Sequence, residues 1–551
     1  MIENKYSEDI AATICREFER LSGDRGNEES HWQEIAERII PAHSNTFYLN
    51  GDQSHGQKKT DKLLDSTASI ALQRFAAILD SMLTPANQKW HKLTASNTDL
   101  QKDREVKKYF EKVNEVLFKY RYAPKANFTS QNQQNYLSLG AYGTGAMYVD
   151  ELYGETGLRY KNIHLGEVYF SENHQGIVDK AFRHFQLTAR QAIQKFGDKC
   201  PDKIKLAMDT NPEQKFWFIH ACMPREDYDP NRADYKGMLF ASYYVAKADK
   251  TLVKEGGFNV FPYSISRYTQ TTGEIYGRSP AMEVLPAIKT LNEEKRTLLK
   301  QGQRALDPVL LAYDDGVIDG FSLKAGAMNY GGVSADGRPL VHALPTGNIM
   351  VSKELMDDER MVINDSFLVN LFQVLTESPA MTATEVLERT KEKGILLAPT
   401  IGRQRSEYLG PMIEREIDIL SRQSFRGVPL LPPMPPILRE AQGEYKIEYE
   451  SPLSRAQRSE EASGLMRTLE VVINAVNVTQ DPSPLDNFNF DIIIPEVAEI
   501  QGVPMKWMNS PEQIAAIRDG RAQQAQIKQA TEAGPAVAAV MNAGTKAGVM
   551  K

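Results

Sequence analysis

The chain has 551 residues, with 65 Lys and Arg against 72 Asp and Glu, a net charge of −7. That length supports a large core and several subregions. The acidic balance argues against a surface given over wholly to gripping nucleic-acid phosphates, while leaving room for a local basic patch. Three cysteines, Cys15, Cys200 and Cys222, are few, far apart and odd in number. They read as buried reduced thiols in a reducing compartment, not as a disulfide framework or a metal site. The start Met1-Ile2-Glu3-Asn4-Lys5 lacks the basic-then-apolar pattern of a signal segment. No apolar run approaches the roughly 20 residues a membrane helix needs, so a soluble protein without membrane contact is expected.

Ser7 to Leu21 predicts a first amphipathic helix, with Ile10, Ile14, Phe18 and Leu21 on one side. A second spans about Glu28 to Ile40 and is stopped by Pro41. After a polar loop, Asp61 to Leu83 reads as helix, ended by Thr84-Pro85. Trp90 to Leu93 alternates like a short strand. Leu100 to Tyr122 is a charged helix with Val106, Phe110, Val113 and Leu117 on its apolar face. A helix to about Leu139 then meets a turn punctuated by Gly140, Gly143 and Gly145, followed by a strand through Met147 to Val149. Tyr153 to Phe185 alternates like β-hairpins, Thr188 to Phe196 is a short helix, and Lys215 to Met223 and Gly237 to Val245 are strands. The expected class is α+β, with helices and antiparallel strands in blocks.

Ser279-Pro280 opens a long helix, Ser as cap and Pro at the first helical position. Leu285, Ile288, Leu291, Leu298, Leu299 and Leu306 follow near the helical period, and Pro286 bends its first turns. Some 26 residues give roughly 39 Å of helix. Asp307 to Thr346 is rich in Gly and Asp turns with short strands between them. It is locally acidic, through Asp314, Asp315 and Asp319 among others. A second long helix begins at Ser352, with Glu354, Asp357, Asp358 and Glu359 in its first turns, where negative charge suits the helix dipole. Its later half, which includes Phe367 and Leu371, is apolar on several faces, as expected between subunits. Leu285, Ile288, Leu291, Phe367 and Leu371 are therefore assigned to a subunit interface. The loop Thr376-Glu377-Ser378-Pro379-Ala380-Met381 stops this helix. Thr382 to Glu385 is a capping box for a third, which Pro399 and Gly410-Pro411 break or kink. A proline-rich connector, Val428 to Glu440, leads to helices at about Ser454 to Val476 and Pro511 to Gln529, separated by a loop. The Gly/Ala-rich tail from Glu532 is expected to be disordered.

Catalytic signatures fail on spacing. Gly51 and Gly56 precede Gln57, where a phosphate-binding loop needs Lys directly after the second glycine. Ser279 sits before Pro280 and reads as a helix cap, not a nucleophile. Asp227, Asp229 and Asn231 begin like a calcium loop, but Arg232 replaces the required Gly. The scattered histidines show no ligand spacing. No cofactor, metal or catalytic residue is assigned.

The stretches "YGRSPAMEVLPAIKTLNEEKRTLLKQGQRALDPVLL", "LLDSTASIALQRFAAILDSMLTPANQKW", "YLSLGAYGTGAMYV", "MTATEVLER" and "PLSRAQRSEE" occur in family order over about residues 30 to 470. Together they resemble the portal, or head-to-tail connector, of short-tailed phages (podoviruses). The last 80 or so residues match only loosely. The resemblance implies a non-enzymatic homo-oligomeric ring, usually of about twelve copies. It would be made in the host cytoplasm and built into the virion at one capsid vertex. Double-stranded DNA would pass through it during packaging and ejection. Its partners would be terminase, a tail adaptor, and the major capsid and scaffolding proteins.

By position, residues 1–275 would be the wing, 276–306 and 352–375 the stem helices, and 307–351 the clip. Residues 376–382 would be the tunnel loop, 383–450 a kinked wing helix and connector, 451–531 the crown and 532–551 a disordered tail. Arg389, Lys391 and Lys393 would then either face DNA or lie on a solvated helix face. Asp314, Asp315 and Asp319 would either dock a basic partner or remain acidic turn residues. A smaller virion ring, such as a head–tail adaptor, and a nucleotide-dependent enzyme are the alternative readings.

Overall fold

The computed structural model describes residues 2–44, 47, 59–312, 322–324, 326–345, 349–370, 397–441, 443–450, 452–481, 483–500, 503, 507–509 and 512–525. They fall into two compact units, Met1–Ser451 and Pro452–Lys551.

The first unit is α+β. Helices α1 (Ile2–Asp24), α2 (Gly26–Ile39) and α3 (Thr67–Leu83) come first, then strand β1 (His91–Ala95). Next are α4 (Thr98–Lys102), α5 (Arg104–Arg121) and α6 (Phe128–Tyr142). Two expected helices are shorter than their apolar patterns, for one reason. Asp65 Oδ1 accepts from the Thr67 amide and hydroxyl, so α3 starts at Thr67 and not at Asp61. Asp103 accepts from the Val106 amide and so divides α4 from α5. A carboxylate that meets the free amides of a first turn fixes where that turn begins.

Strands β2 (Thr144–Glu151), β3 (Leu158–Asn162) and β9 (Tyr263–Arg267) form a three-stranded sheet in the order β3-β2-β9. Strands β4 (Val168–Glu172), β5 (Val178–Thr188), β6 (Lys215–Pro224), β7 (Phe240–Ala246) and β8 (Thr251–Phe258) form an antiparallel meander. One face of the meander packs on α1, through Ile14, Phe18 and Leu21 against Tyr169, Phe182, Ile219 and Tyr243. The other face carries α7 (Ala189–Phe196) and α8 (Asp202–Thr210), on Phe185, Phe218 and Tyr244. The pattern had shown α7, whose Thr188–Gln191 capping box is complete, but not α8. The three cysteines are buried free thiols.

The largest core joins α2, α3, α5 and α6 to the three-stranded sheet and to a helix of residues 397–422. Where a break or kink is expected, that helix is not broken but leaves α-helical geometry before the second proline. It runs through Pro399 and Gly410-Pro411, with a π-helical turn at Gln404–Leu409 immediately before the second proline. A wider turn accommodates the amide and space that proline removes. A last strand, Tyr445–Tyr449, closes the unit by pairing antiparallel with β1.

The second unit holds helices Pro452–Thr479 and Phe490–Ile500 and a helical stretch at 512–525. The helix Phe490–Ile500, with Pro495 inside it, lies where a loop was expected.

Candidate functional site

The element that stands out is a helical hairpin. Ser279 begins it: its hydroxyl accepts from the Met282 amide at 3.0 Å and donates to the Ala141 carbonyl at 2.8 Å. The cap thus starts the helix and fastens it to the end of α6. A short turn, α9 (Pro280–Glu283), is offset at Val284 from α10 (Leu285–Leu306), so Pro286 falls near a helix start, where its missing amide costs little. At about 1.5 Å per residue, α10 is roughly 33 Å long. It leads into β10 (Leu310–Ala312), which pairs antiparallel with β11 (Val341–Ala343). The chain returns through α11 (Ile349–Ser366), which packs along α10.

Two polar side chains hold the hairpin's base. Asn292 of α10 accepts from the Leu64 and Asp65 amides at 2.8 and 3.1 Å, and donates to the Ile288 carbonyl at 2.8 Å. Arg360 of α11 reaches the same segment from the other helix, 2.7 Å from Asp65 Oδ2. Burial pushes the Asp65 carboxyl up, but hydrogen bonds from Thr67 and Arg360 outweigh it and hold it below the usual range. Asn292→Ala should leave two backbone amides without partners and cost about 1–3 kcal/mol. Urea unfolding of the full chain measures this; an unchanged midpoint would mean the clamp contributes nothing.

Burial changes along the hairpin. At its base, Leu285, Ile288, Leu291 and Phe367 are 5, 1, 1 and 0% exposed, and lie in the chain's own core with Phe75 of α3. The sequence pattern assigned these four to a subunit interface; inside the subunit their apolar surface is already covered. Beyond Asn292 no described residue of α10 is buried. Leu299 and Leu306 are exposed, as are Leu355, Met361 and Val362 of α11 and Leu323, Met328 and Tyr330 of the insertion. Leu371, the loop Thr376 to Met381, Arg389, Lys391, Lys393, Asp314, Asp315, Asp319 and the tail from Glu532 lie outside the described residues.

The helix of residues 397–422 follows that loop in sequence and is fastened at two levels. Around the π-turn, Arg267 donates to Glu407 and Glu172, Gln404 donates to the Arg267 carbonyl at 2.8 Å, and Tyr408 donates to Asn132 at 2.7 Å. About two turns further on, fully buried Glu416 pairs with fully buried Arg121 and accepts from Tyr160 at 2.6 Å. His91 Nε2 lies 2.8 Å from Arg121 Nη1. Burial, and then the Arg121 charge, keep that imidazole neutral, so it accepts from the guanidinium. Among the described residues no group of His, Cys, Asp and Glu is arranged to hold a metal, and no helix is long and apolar enough to cross a membrane.

The fold is thus an α+β chain with a helical hairpin that carries exposed apolar residues. The profile of a family described as bacteriophage head to tail connecting proteins matches residues 11–508. The chain belongs to that family. It is 30% identical over 519 residues to a probable portal protein of Bordetella phage BPP-1, covering 93% of this chain and 91% of the relative. To a portal protein of Salmonella phage epsilon15 it is 28% identical over 541 residues, covering 95% and 93%.

Proposed function

We propose that this chain is the portal of a phage: a homo-oligomeric ring of about twelve copies at one capsid vertex, the conduit for double-stranded DNA during packaging and ejection. The observation that carries the reading is the set of exposed apolar side chains along the helical hairpin. A lone soluble chain gains nothing by projecting Leu299, Leu306, Leu355, Met361 and Val362 into water. Clustered exposed apolar side chains mark a surface that another protein covers. In a ring, the neighbouring hairpin covers them.

In this reading α10 and α11 are the stem and the insertion between them is the clip, docking terminase and the tail adaptor. Residues 376–382 are the tunnel loop, with Arg389, Lys391 and Lys393 following it toward the DNA. Residues 451–531 are the crown, facing the capsid interior. The ring guides DNA and is not an enzyme; ATP hydrolysis belongs to a separate terminase. The chain works in the virion after synthesis in the host cytoplasm.

The test is the pair Leu299→Asp and Val362→Asp. Both residues are exposed in the subunit, so each change should move subunit stability by no more than about 0.5 kcal/mol. Buried at a stem interface, the same charges would be unpaired and out of water, and the ring should not form. Native mass and thermal melting separate the two effects. Complete rings of both variants would remove the hairpin from the interface.

A further inference from the structure

The five-stranded sheet carries a cross-strand row that the portal reading does not use. Arg183 of β5 pairs with His220 of β6, His220 with Tyr244 of β7, and Tyr244 with Lys254 of β8. These four residues therefore share one face of the sheet. At about 4.8 Å per strand spacing, the cations at the row's ends are roughly 14 Å apart. Between them His220 stacks on Tyr244 with centroids 4.2 Å apart. Lys195 of α7 lies over the Tyr244 ring, its Nζ 4.3 Å from the centroid and 3.2 Å from the hydroxyl oxygen. Lys161 reaches the same place from β3 of the smaller sheet.

Lys161, Lys195 and Lys254 all reach the surface, with Lys161 and Lys195 also packed among neighbouring side chains. Two carboxylates stand near. Glu167 is taken by Arg183, at 3.1 and 2.9 Å, and Asp150 acts on Lys195 only at longer range. None of the three lysines forms an ion pair with a described carboxylate. Lys195 feels the positive charge of the other two. Lys195 is lowered to about 8, by burial first and then by Arg183, Lys254 and Lys161 against the opposing pull of Asp150. Lys161 is lowered by burial and then by Arg183 and Arg159, against Glu167. Four cations, Lys161, Arg183, Lys195 and Lys254, thus stand against two carboxylates, Glu167 and Asp150, and the excess positive charge is relieved by an anion from outside.

We propose that Lys161, Lys195 and Lys254, with Arg183 beside them, form a docking patch for the phosphate backbone of double-stranded DNA. The identity of the polyanion rests on the portal reading; the patch itself rests on the geometry. A phosphate fits better than a carboxylate. The group that grips carboxylates in two-point fashion is guanidinium, and the Arg183 guanidinium is already held by Glu167. The free cations are lysines, compact point charges suited to phosphate oxygens. Backbone contacts of this kind position DNA without reading its sequence.

The test uses the assembled full chain and a mixed-sequence DNA duplex carrying a fluorophore. The triple variant Lys161→Gln, Lys195→Gln, Lys254→Gln is compared with wild type and with Lys102→Gln, Lys108→Gln, Lys112→Gln, which changes the net charge equally on exposed residues elsewhere. Native mass is recorded on every sample. Three lost phosphate contacts should make the slope of log affinity against log salt shallower by about 2.7. The wild-type advantage should accordingly shrink about 40-fold between 50 and 200 mM salt. The control triple should keep the wild-type slope, and the corresponding three Lys→Arg changes should restore it.

Rings of the glutamine triple with an unchanged slope, or wild-type rings that bind no duplex, would overturn the proposal and leave the portal reading standing. Loss of the ring in the glutamine triple, with rescue by arginine, would assign the patch to an acidic surface of a second copy and would also overturn it. Wild-type protein that forms no ring would count against the portal reading itself.

Discussion

Arg121→Met is expected to cost the first unit about 3–5 kcal/mol, because it leaves a carboxylate charged, buried and without its cation. Glu416 is 0% exposed, and its partners are Arg121 and the Tyr160 hydroxyl. The pair ties α5 to the helix of residues 397–422, which are 295 positions apart in the chain. His91, neutral and accepting from Arg121, would lose its donor as well. Chemical unfolding of the full chain should show a midpoint well below wild type. The double variant Arg121→Met, Glu416→Leu should recover most of the loss, since two apolar side chains can replace a buried ion pair without leaving a charge behind. A single variant as stable as wild type would mean that Glu416 finds another partner or takes up a proton.

Gly143→Ala should be nearly as damaging, for a reason of backbone and space. Gly143 caps α6 with φ +72°, a conformation that costs an L-residue roughly 1–2 kcal/mol. A Cβ there would stand 2.2 Å from the Gly277 carbonyl oxygen and 2.6 Å from the Arg278 carbonyl carbon. Backbone atoms cannot swing aside as a side-chain tip can, so relieving the clash adds about 1–3 kcal/mol. The corner between α6 and β2 also receives the start of the hairpin, through Ser279 and the Gly277 amide bonded to Thr144. Opening that corner should loosen the hairpin's base. Gly154→Ala is the control: its φ is +75°, but nothing lies within 4 Å of the added methyl. Thermal melts should rank Gly143→Ala well below Gly154→Ala. Equal melting points would show that conformation alone, and not the approach of residues 277–278, sets the requirement for glycine.

The long helices, the Ser279 cap, the turn-rich insertion and the α+β class were legible in the sequence, because periodicity and capping are local. Helix starts were less so. Asp65 and Asp103 fix them by accepting amides, and an apolar stripe that extends past such a residue does not show it. The clamps were missed for a different reason. Asn292 follows Ile288 by four residues and so falls on the apolar stripe of α10, and Glu416 falls among Met412, Ile413, Ile419 and Leu420. A polar residue on an apolar stripe signals a buried partner, but the partners, residues 64–65 and Arg121, are remote in sequence. The interface assignment rested on the same ambiguity. Periodicity says that Leu285, Ile288, Leu291 and Phe367 are buried; whether the chain's own core or a neighbour buries them depends on how far the hairpin projects. The basic patch was invisible too, since its members come from β3, β5, α7 and β8, distant in sequence, and meet only through strand register and the packing of α7 on the sheet.

The most direct measurement is the native mass of the purified full chain together with electron microscopy of the same sample, at several salt concentrations. A portal should give closed rings of about twelve copies with a central channel. In those rings hydrogen exchange should slow over α10 beyond Asn292 and over the segment of α11 that carries Leu355, Met361 and Val362, which are exposed in the single chain. A compact monomer at every salt concentration, with those same segments exchanging freely, would contradict the proposal that the helical hairpin is built to be covered by another copy of itself.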